Sequence, residues 1–279
     1  MTAHKEIRPR RVRFDWSGTP LHWVPGDPQT THTINVLHLL LPAGEKWFCE
    51  VYRKALPRVT DEQLRADMKG FIGQEAIHSR AHAAVLEHLA AQGLDTSPYT
   101  RRVEWMFDRL LGDRVGRSMR LAIIAAVEHF TCILGSWVID DSHRLDELGA
   151  DPTMLDLLRW HGAEEVEHRS VAFDLFQHLS GSYLLRVLAM IGVFPVLLWM
   201  WLVGTRFMLR RDPQAGPRRK PTFRAFVRAG RDGRLPAAGY ILRSVPRYLA
   251  LRHHPSNEGS TDRALAYLAT SPAARSYAV

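Results

Sequence analysis

With 279 residues, 46% hydrophobic and 24% charged, the chain can bury a full core, and it has no low-complexity tract, which excludes a disordered or fibrous protein. Two cysteines, Cys49 and Cys132, are too few for a disulfide framework and form no CxxC knuckle, so a reducing, cytoplasmic setting is expected. The net charge of +8 is concentrated in residues 206–279, where 15 Lys+Arg face 4 Asp+Glu; such a tail suits anionic lipid or nucleic acid.

Residues 1–30 are rich in Pro, Gly, Arg and Trp without sustained periodicity and read as an irregular arm; the basic start lacks an apolar h-region, so no secretory signal is expected. Helical patterning begins near Thr31. Pro42-Ala43-Gly44 reads as the start of a new helix that runs to about Leu56 and carries Glu45 in its first turns. Thr60-Asp61-Glu62-Gln63 reads as a capping box and Gly93 as a C-cap, which predicts one helix of about 30 residues. A third helical region spans roughly Arg101–Leu148, with a break near Gly112, and Asp151-Pro152 caps a fourth that runs to about Leu179. No alternating, β-branched run interrupts residues 31–180, so the expectation is an all-α bundle.

From Val187 to Thr205 stand 19 consecutive uncharged residues, closed by Arg186 and by Arg206, Arg210 and Arg211. That is the shortest length expected of a membrane span. The alternative is a buried core or dimer-interface helix. A single crossing that kept the basic tail inside would export the first 185 residues, so a peripheral or monotopic contact with the inner membrane is the favoured form. After Pro221 two or three short helices are expected. The arginines there follow a greasy segment and match no nucleic-acid module, so no nucleic-acid partner is expected.

The four bundle helices carry, in order, Glu45; Glu75 with His78; Glu128; and His161, Glu165 with His168. Residues three or four apart share a helix face, so each Glu-x-x-His pair can address one centre. Chance alone gives roughly 0.65 such pairs for 13 Glu and 14 His, so the signal is the arrangement: two pairs mid-helix, with single glutamates before and between them. Burying a carboxylate in apolar company such as Ala125-Ala126-Val127 is costly without a cation. Glu50 is expected to be solvated, Glu164 and Glu167 to form an exposed acidic face, His82 and His129 to pack or support, and both cysteines, Trp160 and Phe130 to fill the core.

The stretches LLLPAGEKWF, GQEAIHSRAH, VEHFT and WHGAEEVEHRSVAFD resemble the bacterial family of predicted metal-dependent hydrolases, over roughly residues 8–250. The ligand pattern is similar to that of ferritin-like di-iron proteins. It implies a ferritin-like four-helix bundle over residues 31–180, with an apolar helix and basic helices over 181–279. The His-x-x-x-Glu-x-x-His pattern is also similar to that of the p-aminobenzoate N-oxygenases, which implies that His161 is a seventh ligand beside Glu45, Glu75, His78, Glu128, Glu165 and His168. Carboxylates and imidazoles suit two Fe ions, with Mn or Zn as substitutes. The leading expectation is an oxygen-dependent oxidation (hydroxylation, desaturation or N-oxygenation) of a small-molecule or lipid-like substrate, fed by an electron donor. The alternatives are a hydrolase that uses a metal-bridging water, with Glu164 or Glu167 assisting as base, and a non-enzymatic metal-binding or storage protein. A homodimer is compatible with either enzyme.

Overall fold

The computed structural model describes residues 6–214 and 221–275; the remaining ends of the arm and parts of the basic region lie outside the described residues. Among the described residues the fold is all-α. Its helices are α1 (Pro28–Ala55), α2 (Glu62–Ala91), α3 (Ser97–Trp105), α4 (Arg117–Asp140), α5 (His143–Glu147), α6 (Pro152–His168) and α7 (Val171–Leu179). They are followed by α8 (Tyr183–Arg211), α9 (Phe223–Arg231), α10 (Ala238–Leu249), α11 (Thr261–Leu268) and α12 (Pro272–Arg275).

Aspartates set three of the helix starts. Asp27, Asp61 and Asp151 each accept a backbone N–H three residues on, at 2.8–2.9 Å, and prolines follow Asp27 and Asp151 at the first helical position. The cap of α2 is therefore Asp61, and Thr60 turns instead to His178.

Four expected boundaries are corrected. Helix α1 runs unbroken through Pro42, although an interior proline removes one backbone bond and costs about 3 kcal/mol. Apolar burial on both sides of the proline offsets this, with Leu39 and Leu40 in one core cluster and Trp47 and Phe48 in a second. The third region breaks near Gly112 as expected, but it also divides further, into α3 and a π turn (Met106–Leu110) before the break and α4 and α5 after it. The fourth breaks at Arg169-Ser170 between α6 and α7, and four helices rather than two or three follow Pro221.

Helix α1 packs on α2, α4 packs on α6, and the two pairs face each other. Along each of these helices the chain passes from one core cluster to the other, and residues 41–46, 72–80, 127–131 and 164–170 cross a single middle layer, into which Phe130 and Val166 of the two clusters also reach. Helix α8 lies against α1 and α4; α10 lies on α4 and α8, α11 and α12 on α6, α9 on α1.

Two close approaches fix the layer. At the α4–α6 crossing a Cβ on Gly135 would stand 2.6 Å from the Gly162 carbonyl oxygen, so only glycines allow this spacing. The arm lies across α2, where a Cβ on Gly70 would overlap the Ile7 backbone and one on Gly73 the Pro9 ring. Helices α4 and α8 are both long and apolar enough to cross a membrane by length and composition; α4 is mostly buried, whereas only 28% of the most apolar window of α8 is buried. Gly162→Val should lower unfolding stability by about 1–3 kcal/mol, read in a denaturant titration; no loss would mean that the helices part without cost.

Candidate metal centre

The middle layer is polar. Glu45 from α1, Glu75 and His78 from α2, Glu128 from α4, and His161, Glu165 and His168 from α6 all turn into it, and all are buried. His168 Nε2 lies 3.3 Å from Glu128 Oε2, 3.3 Å from Glu165 Oε2 and 3.4 Å from Glu75 Oε1. His78 Nδ1 lies 3.5 Å from Glu75 Oε1 and 3.6 Å from Glu165 Oε1. His161 Nε2 is 2.7 Å from Glu165 Oε1 and 3.7 Å from Glu45 Oε1.

These contacts resolve into two overlapping nests. One is the tetrad Glu75, Glu128, Glu165 and His168; the other joins the triads Glu45-Glu75-His78 and His78-His161-Glu165; within the tetrad and within each triad the donor atoms lie within 4.8 Å of one another. Glu75 and Glu165 belong to both. Both oxygens of Glu45, Glu75 and Glu128, Oε2 of Glu165, Nδ1 of His78 and Nε2 of His168 are buried without a hydrogen-bond partner. So many orphaned acceptors in one layer are costly in a folded protein unless a cation receives them. The donor set fits: four carboxylates match two divalent cations in charge, and the nitrogens supply borderline ligands. Every one of the seven residues singled out from the sequence is brought into this layer.

Without cations the charge must be met by protons. Burial, then the neighbouring Glu75 charge, pushes the Glu45 carboxyl well up; burial and the Glu165 charge push Glu128 up to about 8. Burial works against the charge on His78 and His168, but the hydrogen bond to Glu164 with the Glu75 charge raises His78, and the Glu165 and Glu128 charges raise His168. Burial would likewise raise Glu165, but the His168 charge and the His161 contact hold it well below the usual carboxylate range.

The outer edges of the histidines show what the sequence reading missed. Glu164 and Glu167 are not an exposed acidic face: both are buried against Arg10, because the arm crossing Gly70 and Gly73 brings that guanidinium over α6. Arg10 Nη1 donates to Glu164 Oε1 at 2.9 Å and to Glu167 Oε2 at 2.6 Å, and Nη2 donates to Glu167 Oε1 at 2.7 Å. Glu164 Oε2 accepts from His78 Nε2 at 2.9 Å. Glu167 Oε2 accepts from Gln74 Nε2 at 2.8 Å, which turns Gln74 Oε1 to accept from His168 Nδ1 at 3.0 Å. One arginine thus fixes the outer nitrogens of both histidines as donors, so that the inner nitrogens, once they lose their protons, offer the lone pairs that metal-bound histidines require. Held in this way, neither glutamate is a free base.

His161 is supported differently. Its Nδ1 lies 2.6 Å from His82 Nε2, and His82 Nδ1 lies 2.7 Å from His38 Nδ1, a row of three buried imidazoles. Burial, with the neighbouring imidazoles, holds His82 and His38 neutral, the latter pushed down to about 3. His129 points away and packs on Tyr248, Glu50 is exposed, and both cysteines are buried free thiols, as the sequence indicated. A separate group, His22, His32 and Asp212, lies at the end of α8, where both Nε2 atoms contact Asp212 Oδ2 at 2.6 and 2.9 Å and tie the arm and α1 to that end.

A family model described as predicted metal-dependent hydrolase matches residues 8–259. The chain belongs to this family. The matched span begins at Arg8 and so takes in Arg10 together with all seven clustered residues. No curated protein and no solved structure matches the chain.

Arg10→Met should lower metal affinity about 10–100-fold while unfolding stability without metal changes far less, measured by chelator competition; unchanged affinity would detach the arm from the centre. Metal uptake should release protons, and affinity should be weaker near pH 6 than near pH 8, because Glu45, Glu128, His78 and His168 must shed protons to ligate. A pH-independent affinity would contradict this ionisation.

Proposed function

We propose that the chain is a metal-dependent hydrolase with a dinuclear centre in a ferritin-like bundle, held by Glu45, Glu75, His78, Glu128, His161, Glu165 and His168, and that it acts on an apolar ester or amide. The observation that carries this reading is a layer of unpartnered buried donor atoms that meets an apolar chamber at Glu45. The chamber, about 420 Å³, lies between α1, α4 and α8 and has Glu45 as its one charged wall residue. Its size is that of a small-molecule site.

Bound metal ions would act as Lewis acids and lower the pKa of a water held between them. The chain's own part is to place and exclude. Glu75 and Glu165 would set the spacing between the ions; Arg10, through Glu164, Glu167 and Gln74, aims His78 and His168; Leu41, Phe48, Phe107 and Val127 keep bulk water out and orient an apolar substrate against Glu45. No other charged residue lines the chamber, so proton movement there falls to Glu45, whose carboxyl burial keeps protonated in the metal-free chain.

The donor set itself favours a second reading. Two Glu-x-x-His pairs and two single glutamates on four helices, with an apolar chamber alongside, are the set that di-iron oxidation chemistry uses. Under that reading the same chamber holds the substrate for an O₂-dependent oxidation, and an electron donor is required.

Glu128→Ala and His168→Ala should lower metal content from about two ions per chain to one or none, and Glu50→Ala should leave it near two, by elemental analysis. Equal losses in all three would discredit the ligand set. Hydrolysis of an uncharged ester by the metal-loaded chain without O₂ supports the leading reading; O₂ consumption by the Fe(II)-loaded chain, with no ester turnover, replaces it by the second.

A further inference from the structure

Helix α8 has two unlike faces. Ala189, Met190, Val193, Met200, Gly204 and Met208 are buried against α1 and α4. On the other side Leu184, Leu188, Ile191, Leu198, Trp199 and Leu202 are each at least 47% exposed. With exposed Pro195 between Ile191 and Leu198, steps of three and four residues make one continuous stripe from Leu184 to Leu202, about 27 Å long at the rise of an α-helix. Soluble monomers rarely expose so long an apolar strip.

The stripe is uncharged throughout, since Arg186 is buried and donates to the Ala250 carbonyl at 2.7 Å. Charge begins where the stripe ends. Arg206, Arg210 and Arg211 are exposed on the last turns of α8, and exposed Leu251 and Arg252 follow Ala250 at its first turn. Helix α9, tied through Thr222 to Gln29 on the part of α1 that receives Trp201 of α8, adds exposed Phe223, Arg224 and Arg228. Helix α8 carries no acidic residue between Arg186 and Arg211; at its basic end Asp95 lies 3.6 Å from Arg211, and Arg206 and Arg210 carry the charge. Two copies packed stripe to stripe about a twofold axis would oppose arginine ends with arginine ends, which disfavours a second chain as the occupant. Anionic headgroups complement an apolar strip with basic ends.

The chamber opens on the same face. Leu188 and Val196 of α8 and Leu110 of the π turn are exposed and also line it, while Glu45 lines its inner end. Because the opposite side of α8 is covered by the helices that carry Glu45 and Glu128, the helix cannot cross a bilayer without drawing them in. It can lie in the plane of the interface.

We propose that the exposed face of α8 docks on an anionic bilayer and that the chamber behind it takes an uncharged long-chain lipid ester from that bilayer to the metal centre. The substrate half rests on the hydrolytic reading above; the docking half does not. The wall excludes a charged headgroup, because apart from Glu45 it offers only Thr131 and the two indole N–H groups, which already donate to the Leu111 and Thr33 carbonyls. A neutral ester has no such group to desolvate.

The test uses the full metal-loaded chain, purified without detergent, in flotation with vesicles of phosphatidylcholine with or without phosphatidylglycerol. The wild type should float, and better with phosphatidylglycerol. Ile191→Glu/Trp199→Glu, two outward positions off the chamber wall, should abolish flotation and lower turnover of a vesicle-borne long-chain neutral ester at least about tenfold, with metal content and turnover of a short soluble ester unchanged. Arg206→Glu/Arg210→Glu should remove about tenfold of the preference for phosphatidylglycerol and leave binding to phosphatidylcholine alone. A wild type that ignores both vesicles, or one that is a dimer split by Ile191→Glu/Trp199→Glu, overturns the docking. Flotation without hydrolysis of any ester supports the docking and overturns the hydrolytic reading by itself.

Discussion

Four carboxylates buried in one layer, with apolar layers on either side, are the constraint around which this molecule is built. Like charges a few ångströms apart in a dry interior repel strongly, and each loses its hydration as well. The chain answers partly with protons, on Glu45 and Glu128, and partly with the charged His78 and His168. Neither device supplies hydrogen bonds to the orphaned oxygens. Cations do both at once, so the feature that most burdens the folded state is also the one that defines the function.

The remaining structure holds this layer in place, and does so asymmetrically. On one side Arg10, Glu164, Glu167 and Gln74 form a rigid bracket over His78 and His168, anchored by an arm that only Gly70 and Gly73 admit. On another, His161 leans on the softer row His82 and His38. Around Glu128 and His168 the walls are aromatic and closed, with the Phe71 ring 4.6 Å from that of His168. Around Glu45 they open into the chamber. The chamber therefore reaches the nest that contains Glu45, and the nest that contains Glu128 is the enclosed one.

The inner layer was legible because helices print their faces in sequence at intervals of three and four. Glu75 with His78, and His161 with Glu165 and His168, could be assigned to one centre without coordinates. What was lost was lost for physical reasons. Taking Pro42 as a helix start hid His38, which stands seven residues before Glu45 on a helix that in fact passes straight through the proline. Glu164 and Glu167 look like a solvated face because the group that covers them, Arg10, is more than 150 residues away in an irregular arm with no periodicity to announce it. The apolar run in α8 was visible, but composition alone cannot say that one of its faces is covered and the other bare.

The proposed centre has two metal ions sharing Glu75 and Glu165. Anomalous diffraction from crystals of the metal-loaded protein, recorded on both sides of the metal's absorption edge, tests it most directly. The account predicts two peaks about 3.5–4 Å apart between those carboxylates, one beside Glu128 and His168 and the other beside Glu45, His78 and His161. A map with no peak in this layer, or with metal only at His22, His32 and Asp212, would contradict it.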